Sequence, residues 1–416
     1  MSTESPRLHP DASAEAAAAG IPRVPSWYVA RDRARARFGE AVDSFGPFLM
    51  RGDPQADELV ATLNELRAGQ ANRMLKQALD EGIGSVRRPP RALVQFFRQL
   101  DEVPLWVDWE RLDRGGAALL RTGPLGALVL ACYSLPLSYA SPDGNKPLVA
   151  SGRLMARAFR RLTETARFVV ETCRPSGLRR FSEGFKITIR VRLMHAQIRR
   201  LLLQRGTWPV DRWGIPVNQA YMAGTNVLFS AVFIEGLRGL GMELDPEERD
   251  DLVQLWRYNG LLMGVDPKLC AATEAEGLRL IRLTHAILEP PDDDARALIR
   301  ALMEVPLQAA RTPAEQAVAR KAVDLLYAVS RYLVGDELAD ALDYPRTPWR
   351  LAVGPLRATN ATMNALRRSV TSSREPLYRF GLFAWERLIE QGLAGIPAAF
   401  DFRGASVGQH GGAHAQ

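Results

Sequence analysis

Apolar residues recur along most of this chain at spacings of three and four, the period of a helix with one buried stripe. No segment reads as a strand or hairpin, and no internal repeat is visible. The clearest stripe runs from Phe185 to Leu203, where Ile187, Val191, Met194, Ile198 and Leu201 share one face and Arg190, Arg192, Gln197, Arg199 and Arg200 form the other. His195 falls on the apolar side. A buried imidazole needs a partner, so the position is either a core histidine bonded to a backbone carbonyl or a ligand, and this helix alone favours the first. A second helix, Arg153 to Thr172, carries Leu154, Ala158, Phe168 and Val169 on its stripe and interrupts it with Arg161 and Thr165. These two are four apart and share a face. Burying a guanidinium without an anion is costly, so Arg161 does not read as an ordinary core position.

Elsewhere the same pattern predicts helices over Phe45–Glu81, Arg91–Gln99, Asn218–Leu237, Asp292–Leu342, Thr347–Leu366 and Glu375–Leu393. Trp106, Trp109 and Leu112 read as packing around a helix start, and Gly206–Val217 as an ordered loop. Asp245 followed by Pro246 and the first-turn acids Glu247 and Glu248 reads as a capped start. Leu125–Ala140 is the most apolar stretch. It is shorter than the ~20 residues of a membrane span and contains Pro136, so it reads as a buried core helix that could line an apolar channel. The predicted organisation is an N-terminal arm and basic helix over residues 1–44, one helical domain over 45–402 with its core at about 101–288, and a disordered Gly- and Ala-rich tail over 403–416.

Composition narrows the function. The chain has 416 residues, 47% hydrophobic and 24% charged, the balance of a soluble globular protein with a large core. Its net charge of +7 comes from arginines spread over many helices without a compact basic block, which argues against nucleic acid as the main partner. Cys132, Cys173 and Cys270 lie far apart and indicate neither a zinc site nor a disulfide framework. Met1–Ile21 lacks a basic start followed by an apolar run, so no secretory or twin-arginine signal is visible and the expectation is a cytoplasmic protein, or a secreted one if the start is processed.

The segments SGRLMARAFRRLTET, VRLMHAQIRR, WGIPVNQAYMAGTNVLFS and WRYNGLLMGVDPKL occur in that order. Together they resemble the haem-dependent oxygenases that include the latex-clearing rubber oxygenases and the side-chain-cleaving oxygenase of mycophenolic acid biosynthesis, over roughly Asp101 to Leu288. The resemblance implies an all-α, globin-like core holding a b-type haem, with His195 as the axial iron ligand. It places Arg161 and Thr165 in support of the haem pocket. Propionates need cations, for which Arg161 is the first candidate and Arg192 and Arg199 the weaker ones, since a charge run on a helix is usually a solvated face. The rubber-cleaving members carry a Lys immediately before the Thr, where this chain has Glu164, and a distal Glu shortly before the Arg helix, where this chain offers Asp143. Glu164, then Asp143, are therefore the candidate distal acid or base.

The function implied is oxidative cleavage of a carbon–carbon double bond in an apolar, isoprenoid-like chain by dioxygen. Two alternatives differ in class. The same haem could support hydroxylation or peroxide chemistry, or the protein could bind haem or an apolar ligand without catalysis.

Overall fold

Helix starts are written into the sequence as side-chain caps. Asp53, Asp108, Ser182, Asn218 and Thr273 each accept backbone N–H groups from the first turn that follows them. Asp245 and Glu248 form a reciprocal capping box, with Pro246 at the first helical position, so the predicted start at Asp245 is the observed one. The computed structural model describes residues 31–150, 153–369 and 374–393. The N-terminal arm and the Gly- and Ala-rich tail lie outside these residues, as do the side chains of Leu154 and Ala158. Within them the protein is all-α and globin-like, with short 3-10 turns and no strand.

Two interior contacts are close enough to exclude any side chain. On the Trp109–Arg121 helix, a Cβ at Gly115 would lie 2.4 Å from the carbonyl oxygen of Asp251, and one at Gly116 would lie 2.2 Å from that of Cys173. The helices Pro246–Leu262 and Arg153–Cys173 thus pack against it backbone to backbone. Aromatic rings fill the space beyond. Phe229 stacks on Trp256 at 4.6 Å between centroids, and Phe168 meets Trp256 edge-on at 5.9 Å. Trp106 and Trp109 both set their edges against Tyr258, as the reading of a helix start there requires.

Leu125–Ala140 is buried as predicted, but it is not one uniform helix. A π-helical turn, Leu130–Ser134, separates Gly123–Val129 from Leu135–Tyr139. Pro136 explains it: the ring has no N–H and would crowd the carbonyl four residues back, and the wider turn relieves both. The predicted helix Asn218–Leu237 is likewise two, Gln219–Val227 and Ala231–Gly239. Gln219–Gly239 is long and apolar enough to cross a membrane, yet 72% of its apolar window is buried inside the protein, as in a core helix. The last two helices, Arg350–Ser369 and Arg374–Leu393, pack on Pro313–Val334 and on the Arg153–Cys173 and Trp109–Arg121 helices respectively.

Candidate active site

The helix carrying His195, Glu183–Gln204, departs from the amphipathic reading. It is enclosed on nearly every side, and the face expected to be solvated holds the deeply buried Arg192, Gln197 and Arg199. Tertiary acids make this possible. Arg192 donates to both oxygens of Asp53 at 2.6 and 3.0 Å and to the Leu262 carbonyl, and its guanidinium lies 4.8 Å over the Phe96 ring. Arg199 donates to both oxygens of Asp57 at 2.9 and 3.0 Å and to the Val217 carbonyl at 2.6 Å. Both cations therefore help to hold the helix, while Arg199 keeps its Nη2 buried without a partner. Nothing local in the sequence betrays these pairs, because Asp53 and Asp57 lie 139 and 142 residues from the arginines they bind. Gly264 closes the same corner: its φ is +83°, and a Cβ there would fall 2.2 Å from Asp53 Oδ2 and 2.5 Å from Arg192 Nε.

Between these two arginines sits His195. Its Nδ1 is buried without a hydrogen-bond partner, and no hydrogen bond to its other nitrogen exists among the described residues. Burial pushes the imidazole down to about 4, helped by the charges of Arg199 and Arg161 and opposed by Asp53, so the ring is neutral at physiological pH. Val191, Met194 and Ile198, which flank it on the same face, are half-buried, as is His195 itself, whereas Leu193 and Ala196 are buried. His285 provides the contrast. It too is pushed down to about 4 by burial, but its Nε2 sits 3.2 Å from the Leu137 carbonyl oxygen, as a satisfied core histidine should.

Arg161 lies close enough for its charge to act on both His195 and the Tyr139 hydroxyl. Its side chain is 30% exposed and meets Glu164 at 3.5 Å, so it is half-buried and loosely held rather than sunk in the core. Glu164 is buried and engaged, accepting a 3.1 Å hydrogen bond from Arg160 Nε as well. Thr165 turns its hydroxyl back onto the Arg161 carbonyl at 3.0 Å. Three of the predicted residues thus form one cluster on the Arg153–Cys173 helix, which packs against the His195 helix.

Asp143 occupies a separate buried polar pocket at the start of Pro142–Ala150, a helix that packs on the Arg161 helix. Its Oδ2 accepts from the Tyr221 hydroxyl at 3.1 Å, while its Oδ1 and the nearby Asn145 Oδ1 are buried with no partner. Burial pushes the Asp143 carboxyl up to about 7; Tyr221, Lys146 and Arg212 pull it down and Glu289 raises it. Tyr221, 78 residues away in sequence, was not legible as its partner.

Residues 109–368 match the family described as "ER-bound oxygenase mpaB/B'/Rubber oxygenase, catalytic domain". The chain belongs to this family. The match contains every candidate residue of the site, whereas Asp53 and Asp57, which fix the His195 helix, precede it. Among solved structures, latex clearing protein in its closed state is similar at 21% identity and a TM-score of 0.64, covering 82% of this chain and 91% of that one. No curated protein matches by sequence. Family membership makes the chain an oxygenase, and the structural likeness supports the globin-like helical fold.

Proposed function

We propose that the chain is a b-type haem oxygenase that uses dioxygen to cleave a carbon–carbon double bond of an apolar, isoprenoid-like substrate into carbonyl products. Membership in the mpaB and rubber oxygenase family supports the oxygenase half. The observation that carries the haem is the His195 ring: neutral, its Nδ1 buried, and with no protein partner for either nitrogen among the described residues. A buried polar group left without a partner is costly unless something binds it. Axial ligation to haem iron suits a neutral imidazole, and the bound haem supplies dioxygen activation. Arg161, half-exposed and loosely paired, has charge to offer a propionate, and Thr165 fixes the turn of helix that presents it.

Acid–base work falls to Asp143 in preference to Glu164. Glu164 is tied to Arg160 and Arg161, whereas Asp143 holds its proton near neutrality and keeps one oxygen unclaimed. The apolar core around Leu130, Leu137, Val191 and Met194 favours a hydrocarbon chain, since affinity for such a chain grows with the apolar area it buries. The test is product analysis under isotopic dioxygen with short isoprenoid olefins. Label in both new carbonyl oxygens supports cleavage by dioxygen. Hydroxylated products with the chain intact, or label drawn only from water, would move the protein to another oxidative class.

A further inference from the structure

Away from the site, the start of Pro246–Leu262 and the two C-terminal helices enclose a cavity of about 460 Å³ lined by Glu243, Asp245, Pro246, Arg249, Arg367, Arg368 and Arg374. Its ions do not balance. Asp245 is shared by Arg368 Nε at 3.1 Å and Arg374 at 2.9 Å. Glu248 is shared by Arg121 at 2.5 Å and Arg367 at 3.8 Å. Glu274 is shared by Arg238 and Arg249, and Glu243 meets Arg238 and Arg368 at no closer than 3.8 Å. Among the described residues these six guanidiniums therefore share four carboxylates. Of the other described acids on these elements, Asp250 and Asp251 are taken by Arg111 and Arg114, Glu375 binds Arg379, and Glu247 is exposed.

The surplus charge sits in a poor place for it. The side chains of Arg121 and Arg367 are 5% and 8% exposed, and two buried cations around one buried carboxylate repel each other. Burial and the Arg121 charge lower the Arg367 guanidinium below its ordinary range, the direction expected where positive charge exceeds negative. The Nε groups of Arg121, which pairs with Glu248, and of Arg249, on the cavity wall, are buried donors with no partner. The first turn of Pro246–Leu262 adds the positive end of its dipole.

We propose that this cavity binds a small, multiply charged oxyanion, a phosphate or diphosphate group, which bridges the Pro246–Leu262 helix to both C-terminal helices. Planar arginine forks suit such oxygens, and the anion would add negative charge where these arginines outnumber the carboxylates they share. The group can come from a free metabolite or from a lipid head, and the test separates these.

The measurement is thermal unfolding of the full chain at constant ionic strength with inorganic phosphate, pyrophosphate or chloride, backed by phosphorus NMR titration. Saturable stabilisation by phosphate or pyrophosphate over chloride is expected. In Arg368→Gln/Arg374→Gln, whose altered side chains are half-exposed and spare the core, apparent binding should weaken at least about tenfold. Arg387→Gln, an exposed change on the same last helix, should leave it intact. Sedimentation with phosphatidate vesicles, compared with phosphatidylcholine, identifies a lipid source if binding is lost in the double variant. Equal behaviour in phosphate, pyrophosphate and chloride with no vesicle binding, or a response unchanged in the double variant, overturns the proposal. None of these outcomes depends on the haem reading.

Discussion

Asp53→Asn is the sharpest test of how the His195 helix is held. The change keeps the shape of the side chain and its capping oxygen, which accepts from Ala56 N–H, and removes only the charge facing Arg192. The two side chains are 5% and 2% exposed, and both carboxylate oxygens are engaged. Leaving a buried guanidinium without its anion costs about 3–5 kcal/mol, whereas a pair on a solvated face is worth about 0–1 kcal/mol. The buried figure applies here. Arg192 would keep the neutral Oδ1, the Leu262 carbonyl, a long contact to Gln99 and the Phe96 ring, none of them charged. Urea unfolding followed by circular dichroism should show that loss for Asp53→Asn. Asp53→Asn/Arg192→Met should recover a large part of it, because no charge then remains unpaired. A loss under 1 kcal/mol, or a double variant no better than the single, would refute the argument that buried charge pairing fixes this helix.

Asp143 makes a pH prediction whose sign follows from its raised carboxyl. With about 7 in the folded protein against an ordinary 3.8, the folded state binds the proton more tightly, so stability falls as pH rises from about 4 to 7. Asp143→Asn should flatten that slope in a series of melting temperatures. Tyr221→Phe removes a hydrogen bond that favours the carboxylate, so the carboxyl infrared band should titrate at higher pH than in the parent. Gly264→Ala should destabilise by more than about 2 kcal/mol, because its φ is +83° and the methyl would strike the Asp53–Arg192 pair; a stability within 0.5 kcal/mol of the parent, on the scale of ordinary surface changes, would contradict the packing. Arg161→Ala should weaken haem retention more than Arg200→Ala while costing little stability, since its side chain is already 30% exposed; equal retention would remove Arg161 from the pocket.

Helix positions were largely legible because period and caps are local: Asp245 with Pro246 and Glu248, or Trp109 after Asp108, carry their instructions within a turn. His195 was legible for the same reason, as one polar residue on an apolar stripe. The fate of the arginines was not. The sequence shows Arg192 and Arg199 on a polar face, and only the fold brings Asp53 and Asp57 across to bury them. Arg161, which did not read as an ordinary core position, is 30% exposed and meets the Glu164 carboxylate one turn on. The break at Leu130–Ser134 follows from Pro136, yet whether a proline kinks, ends or widens a helix depends on what packs around it. Asp143 was visible as an acid shortly before the Arg161 helix, but its raised carboxyl depends on burial beside Tyr221, a contact made by tertiary packing.

The central claim is that His195 holds haem, and an absorption spectrum tests it directly. Protein purified from haem-replete cells should show a Soret band and release about one haem per chain into acid–acetone, because the sequence has no Cys-x-x-Cys-His attachment motif. His195→Ala should be folded and colourless. His285→Ala, which loses only a core hydrogen bond to Leu137, should keep the band. A colourless parent protein, or a band lost in His285→Ala and retained in His195→Ala, would contradict the account.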